Sequence, residues 1–229
     1  MPLLPRRFER LRAVLDQRMA DLTVVLEHVH KPHNLSAILR SCDAAGVLEA
    51  HVINLKGRTP TFNDTALGSQ KWVELHSHSD TETVLRQLKQ RGFRLVGTHL
   101  GVEAIDYRDG DYTGPTAFLL GAEKWGLSDT AAGLVDQAVF IPMRGMVQSL
   151  NVSVAAATLL FEALRQRRAA GVLPSQGEGL PAELYRQRLF EWAYPQVAAW
   201  CRQEGRPYPP LDAEGAIAEE LPRTLRLRC

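Results

Sequence analysis

A chain of 229 residues with 45% hydrophobic content can bury one sizeable core, so the expectation is one main domain with extensions. No stretch approaches the apolar length of a membrane span, and the N-terminus, MPLLPRRFERLR, lacks the apolar centre of a signal peptide. The net charge of +1 says little, whereas three scattered cysteines (Cys42, Cys201 and Cys229) suit a reduced, cytoplasmic protein better than a disulfide scaffold.

Along the chain, residues 6 to 20 place Phe8, Leu11, Leu15 and Met19 at near-helical spacing, with arginines on the other side. LTVVLEHV, residues 22 to 29, is a β-branched run of strand length. Lys31-Pro32 makes a turn, and a helix follows to Ala45 and Gly46, a good C-terminal stop. HVINL (51 to 55) is a strand, and KGRTPTFNDT is a loop in which Asn63 or Asp64 caps a short helix ending near Gly68. WVEL (72 to 75) is a strand, residues 80 to 91 form a helix closed by Gly92, and FRLVGTHL (93 to 100) is a strand again.

A polar, irregular passage with Tyr107 and Tyr112 precedes the buried strand TAFLLG. LSDTAAGLVD is a short helix capped by Ser128, and QAVFIP is the last strand. Then come a loop with Gly145, the trio Ser149, Leu150 and Asn151, and a long helix with Ala155, Ala156 and Ala157 where bulky residues are usual. Either Asn151 or Ser149 suits its N-cap. Such small residues allow very close packing by another helix or a second subunit. The alternation of apolar strands with helices predicts an α/β fold, a mostly parallel sheet with helices on both faces.

GVLPSQGEGLP (171 to 181) reads as a linker. ELYRQRLFEWAYPQVAAWCRQ is a second amphipathic helical piece, and the chain from RPYPPLDAEG onward an irregular tail. The expected organisation is a helical N-terminal extension at 1–20, a catalytic domain at 21–170 and a C-terminal extension with its tail at 171–229.

Arginine is clustered: Arg6, Arg7, Arg10, Arg12 and Arg18 at the first helix, Arg165, Arg167 and Arg168 at the end of the long one, and Arg223, Arg226 and Arg228 at the close. Such clusters within a near-neutral total are what a local phosphate-binding surface looks like. They are also what solvated helix faces look like, and charge alone does not separate the two.

Three stretches share a polar turn beside a strand or helix: NLSAILRSCDAAG from Asn34, FLLGAEKWGLS from Phe118 and FIPMRGMVQSLNVSVAAA from Phe140. In this order they resemble the motifs of the SpoU family of RNA ribose 2′-O-methyltransferases, members of the knotted SPOUT class. EHVHKPHNLSAILRSCDAAGV and IPMRGMVQSLNVSVAAA look like the tRNA branch, which methylates the ribose of guanosine 18 in the D-loop. The resemblance covers essentially the whole chain. It implies S-adenosylmethionine as cofactor, tRNA as substrate, a homodimer and a C-terminal deep trefoil knot, which periodicity could never have shown.

By the same resemblance Asn34, Arg40, Glu123, Ser149 and Asn151 form the catalytic set. Arg40 lies six positions after Asn34 on the first motif's helix, where Asn34 can orient it. The family assigns the matching arginine to activating the hydroxyl. A guanidinium is a poor base, so a bidentate grip on the adjacent phosphate is the more comfortable role. Glu123 is expected to shape the cofactor loop and the subunit contact. Ser149 and Asn151 would serve the methionine end of the cofactor, or simply cap the helix. Thr98, Leu100, Gly121, Ile141, Met143 and Leu150 match the positions that cradle adenosine. Arg6, Arg7, Arg10, Arg12, Arg165 and Arg168 are the candidate contacts to RNA.

Other patterns carry less. His28, His30 and His33, like His76 and His78, lack a completing set of thiolates or carboxylates, so no metal is expected. Met143 and Met146 also read as core filler. No G-x-G-x-x-G opens the first helix, against dinucleotide binding. Two alternatives stand beside the main reading: the same chemistry on ribosomal RNA, and a catalytically inactive RNA-binding protein on this fold.

Overall fold

β-Branched and aromatic runs in the middle of the chain build the sheet on which everything else hangs. In the computed structural model, residues 3–54, 71–98, 103–122 and 125–219 are described. They fall into two compact units, one of Met19–Leu173 and one joining the chain up to Arg18 with the chain from Pro174.

The larger unit contains β1 (Leu22–Glu27), α2 (Pro32–Ala44), β2 (Glu49–Ile53), β3 (Glu74–His78), α3 (Thr81–Gln90), β4 (Arg94–Thr98), β5 (Ile105–Asp106), β6 (Thr116–Leu120), α4 (Asp129–Leu134), β7 (Gln137–Phe140) and α5 (Val152–Ala169). The smaller unit holds α1 (Pro5–Leu15), α6 (Ala182–Ala193) and α7 (Pro195–Gln203).

The strands form one seven-stranded sheet in the order β3-β2-β1-β6-β4-β7-β5. Every pairing among them is parallel. β1 and β6 occupy the centre and are buried along their whole length, which is why their sequences are mostly apolar. Side chains alternate along a strand, and β1 feeds a core on each face. Val24 and Leu26 pack with Ile38 and Leu39 of α2 and Leu159 and Leu160 of α5. Val25 joins Val84, Leu85 and Leu88 of α3 and Ala131 of α4. Helices therefore cover both faces, as expected. Ala156 and Ala163 are fully buried in the first of these cores, and their small side chains let α5 lie close to α2.

Several boundaries move. β2 begins at Glu49 and β3 at Glu74, each two residues from its expected start. The passage expected to be irregular contributes the short edge strand β5 and a 3-10 turn at Tyr107–Asp109. The single helical piece after the linker is two helices, broken at Tyr194 before Pro195. The expected short helix near Asn63 and Asp64 lies outside the described residues.

The arginine clusters are not uniformly surface charge. Arg6, Arg7, Arg10 and Arg12 are exposed on α1, Arg6 and Arg10 away from buried Phe8, Leu11 and Leu15 and Arg7 and Arg12 flanking them. Arg18, in contrast, is buried, with its guanidinium 5.4 Å from the ring of Trp192. Arg167, 1% exposed, donates to the carbonyls of Tyr112, Asp21 and Gly114 and to a carboxylate oxygen of Asp21 at 2.6 Å. It is a strut between the end of α5 and the entries to β1 and β6. No helix is long and apolar enough to cross a membrane among the described residues.

Candidate active site

The C-terminal ends of β4, β6 and β7 and the first turn of α5 enclose a cavity of about 320 Å³, at the lower end of the usual range for small-molecule sites, roughly 300–1,000 Å³. Strand ends of a parallel sheet are where such sites form, because the chain leaves each strand there and its loops diverge. Thr98, Gly121, Ile141, Met143, Ser149 and Leu150, singled out in the sequence, all line it. Gln148 and Ala155 line it as well, and no sequence signal beyond the small side chain of Ala155 pointed to them. Leu100 and Glu123 lie outside the described residues.

The wall after β6 depends on glycine. A Cβ on Gly121 would sit 2.1 Å from the carbonyl carbon and oxygen of Gly126, a distance no side chain tolerates. The loop can fold back this closely only because position 121 is bare. Gly126 adopts φ +69°, the left-handed region that glycine enters without penalty. Two backbone hydrogen bonds, Ala122 N to Gly126 O (3.0 Å) and Gly126 N to Ala122 O (2.8 Å), close the loop on itself. The next element starts at Ser128, whose hydroxyl accepts from the Ala131 amide and caps α4 as expected.

On the other side Asn151, not Ser149, caps α5: its side-chain oxygen accepts from the amide of Ser153 at 2.8 Å. Its amide nitrogen donates to the side-chain oxygen of Asn34 at 3.1 Å. Asn34 is only 2% exposed in the first turn of α2, whereas Arg40 is exposed on the same helix. The spacing of six puts Arg40 roughly 120° around the helix from Asn34. Among the described residues Arg40 has no ion-pair partner, which leaves its guanidinium available. Arg165 is held by both carboxylate oxygens of Glu162, at 2.7 and 2.8 Å. Arg168 is exposed.

Around the cavity mouth, Met146 is 99% exposed and Trp125 79% exposed. The expectation that Met146 fills core is thus wrong: its loop carries it away from every packed face. Among the described residues no group of three or more His, Cys, Asp or Glu is placed to hold a metal. His51, His76 and His78 do come together, with His51 Nδ1 3.1 Å from His78 Nε2. His51 of β2 stacks on His76 of β3, the edge strand, and His76 lies 3.4 Å from a carboxylate oxygen of Glu49.

The sequence pattern of the SpoU rRNA Methylase family matches residues 21–161, and that described as SpoU, rRNA methylase, C-terminal matches residues 165–220. A tRNA (guanosine(18)-2′-O)-methyltransferase of Thermus thermophilus is 58% identical over 186 residues, 81% of this chain and 95% of that protein. The crystal structure of the Aquifex aeolicus TrmH/SpoU tRNA modifying enzyme superposes with a TM-score of 0.77 at 40% identity, over 84% of this chain and 97% of that one. The SpoU methyltransferase AviRb from Streptomyces viridochromogenes, in complex with the cofactor AdoMet, superposes with a TM-score of 0.59 at 29% identity, over 67% and 62%. With the family pattern spanning well over half of its length and a relative this similar along nearly its full extent, the chain belongs to the SpoU methylase family.

Proposed function

We propose that this protein transfers a methyl group from S-adenosylmethionine to the ribose 2′-hydroxyl of guanosine 18 in the D-loop of tRNA. The observation that carries the reading is the correspondence with a tRNA (guanosine(18)-2′-O)-methyltransferase over 81% of this chain and 95% of that enzyme. The cavity suits the cofactor. Val139, Ile141, Leu150 and Ala155 offer apolar walls to an adenine, and Gly121 and Gly126 line the same cavity. Thr98, Gly121, Ile141, Met143 and Leu150 would hold the cofactor, with Leu100 the remaining contact. Bound there, S-adenosylmethionine supplies a methyl group activated by a sulfonium that leaves as a neutral thioether.

The protein's own work is to place a ribose. Arg40, exposed and without an ion-pair partner among the described residues, grips the phosphate beside the target nucleotide with its planar fork. A phosphate oxygen then stands ready for the hydroxyl proton, which a protonated guanidinium cannot take. Asn34 and Asn151 fix the start of α5 under the site, Ser149 would serve the methionine end of the cofactor, and Glu123, outside the described residues, completes the catalytic set. Arg6, Arg7, Arg10, Arg12 and Arg168 meet RNA phosphates. Arg165 contributes through the donors that Glu162 does not use.

The enzyme acts as a cytoplasmic homodimer, with the C-terminal part of the sheet unit tied in a trefoil knot. Val154 and Phe161, 49% and 48% exposed, lie seven residues apart on one face of α5, beside Thr158 and Ala157. Apolar side chains left open on one helix face call for a partner, and a second copy of this helix fits them. Methyl transfer from labelled S-adenosylmethionine to unmodified tRNA and to ribosomal RNA, run side by side, tests the substrate. Label in tRNA supports the reading, and label confined to ribosomal RNA overturns it.

A further inference from the structure

One buried carboxylate has no part in the chemistry above. Glu27 ends β1, is 1% exposed, and is the only charged residue of that strand. It lies on the same face as Val25, toward α3 and α4. Three donors converge on it. Thr81 Oγ1 at the start of α3 donates to Oε1 at 2.8 Å, Ser128 Oγ to Oε1 at 2.7 Å, and the Ser128 backbone amide to Oε2 at 2.8 Å. The Ser128 hydroxyl already accepts from Ala131, so its proton is committed to Glu27. These partners are all neutral, and burying a carboxylate among neutral donors is a costly way to fill a core.

What that arrangement secures is the cavity wall. The segment from Gly121 to Ser128 leaves β6 where Leu120 pairs with Leu26, the residue just before Glu27. It returns at Ser128, which Glu27 holds. Successive residues of one strand thus anchor the two described pieces of wall on either side, Gly121 and Ala122 after β6 and Gly126 before Ser128, all three of which line the cavity. We infer that Glu27 is a positioning residue for the cofactor, a latch that, through Ser128, holds Gly126 in the cavity wall where S-adenosylmethionine binding requires it. The bond to Thr81 leads away from the wall and serves stability alone. His28, immediately after the latch, turns the chain away at φ +57°, an unusual conformation for a non-glycine residue.

The inference rests on the cofactor assignment, and calorimetric titration of the wild-type protein with S-adenosylmethionine tests that assignment separately. In the same titration Glu27→Ala is expected to raise the dissociation constant about tenfold or more and Ser128→Ala about threefold. Thr81→Val should match the wild type even though its melting temperature falls. Turnover at saturating cofactor should stay within about twofold for all three, so that the loss appears in KM and not in kcat. If Glu27→Ala does not fold, the contrast between Ser128→Ala and Thr81→Val decides. Cofactor affinity within twofold of wild type in both Glu27→Ala and Ser128→Ala, with lowered melting temperatures, would reduce Glu27 to a structural residue and overturn the inference. Equal weakening by Thr81→Val would overturn it too.

Discussion

The side-chain amide of Asn151 donates to the side-chain oxygen of Asn34 across 3.1 Å, joining the N-cap of α5 to the first turn of α2 over 117 positions of sequence. Because the same Asn151 caps α5 through Ser153, one residue sets both the start of the helix and its seat on its neighbour. Asn151→Ala should cost about 1–2 kcal/mol in stability, combining a lost cap and a hydrogen bond. Asn151→Asp keeps the cap and should cost less, though it turns an acceptor toward Asn34. A double-mutant cycle with Asn34→Ala, read by chemical denaturation, should show coupling of roughly 0.5–1.5 kcal/mol. Strict additivity would mean that the pair is not formed in solution.

Arg167 should be among the most sensitive positions for stability. Its removal takes away the donor to the carbonyl of buried Tyr112 and the ion pair to Asp21, and thins the bonding of the Asp21 and Gly114 carbonyls, which keep Thr116 as a donor. Arg167→Ala is expected to lose about 3 kcal/mol or more, and Arg167→Lys most of that, because one ammonium cannot reach all these acceptors. Arg165→Ala, on the exposed side of the same helix, should change stability by less than about 1 kcal/mol. Thermal melts of the three variants check the contrast.

Acid should weaken the fold in two stages set by the histidine cluster. Burial, followed by the neighbouring His51 and His76, depresses the pKa of His78 below its usual value. The unfolded chain then binds a proton that the folded chain refuses, so stability falls as pH drops below about 6.5. Burial alone would raise the carboxyl of Glu49, but His51, His76 and Arg91 outweigh it and hold it far below the usual range. Its contribution is complete above the unfolded carboxylate pKa and is lost only at still lower pH. Melting temperature should therefore be flat from pH 8 to 7 and decline from pH 6.5 downward, with the first decline reduced in His78→Gln. An unchanged first decline in that variant would remove His78 as its cause.

Changing Arg6, Arg7, Arg10 and Arg12 together to Gln should weaken tRNA binding and flatten its dependence on salt, since each phosphate contact releases counterions. All four are exposed on α1, and of them Arg12 also hydrogen-bonds Tyr185, so stability should fall only slightly. Cofactor affinity should not move. Filter binding across a salt series reads the effect; an equal affinity and slope would leave these arginines as solubility residues.

How much of this was legible beforehand varied with the physics of each element. β1, β6 and the helix α3, with its cap at Asp80, announced themselves by burial and periodicity. β2 and β3 were displaced because Glu49, His51, Glu74, His76 and His78 put polar groups on one face of a sheet edge, so their apolar signal is thin. β5 is two residues long in a polar stretch, too short for any pattern to mark. Arg167 reads as surface charge because it closes a helix beside two other arginines, and only tertiary acceptors pull it inside. The gathering of Thr98, Gly121, Ile141 and Leu150 in one cavity was anticipated through family resemblance, since no local rule links strand ends so far apart. Glu27 is a lone carboxylate after five uncharged residues of a buried strand, a signal visible in the sequence whose partners, Thr81 and Ser128, only the fold brings to it.

The central claim is tested most directly by locating the transferred methyl. A tRNA transcript bearing guanosine at position 18 is incubated with tritiated S-adenosylmethionine and the wild-type enzyme or Arg40→Ala, then hydrolysed in alkali. A 2′-O-methyl group blocks cleavage of the bond that follows it, so label should reside in a single alkali-stable dinucleotide beginning with guanosine 18. Arg40→Ala should lose nearly all of that label while binding the cofactor as the wild type does. Label in mononucleotides, label at another position, or full transfer by Arg40→Ala would contradict the account.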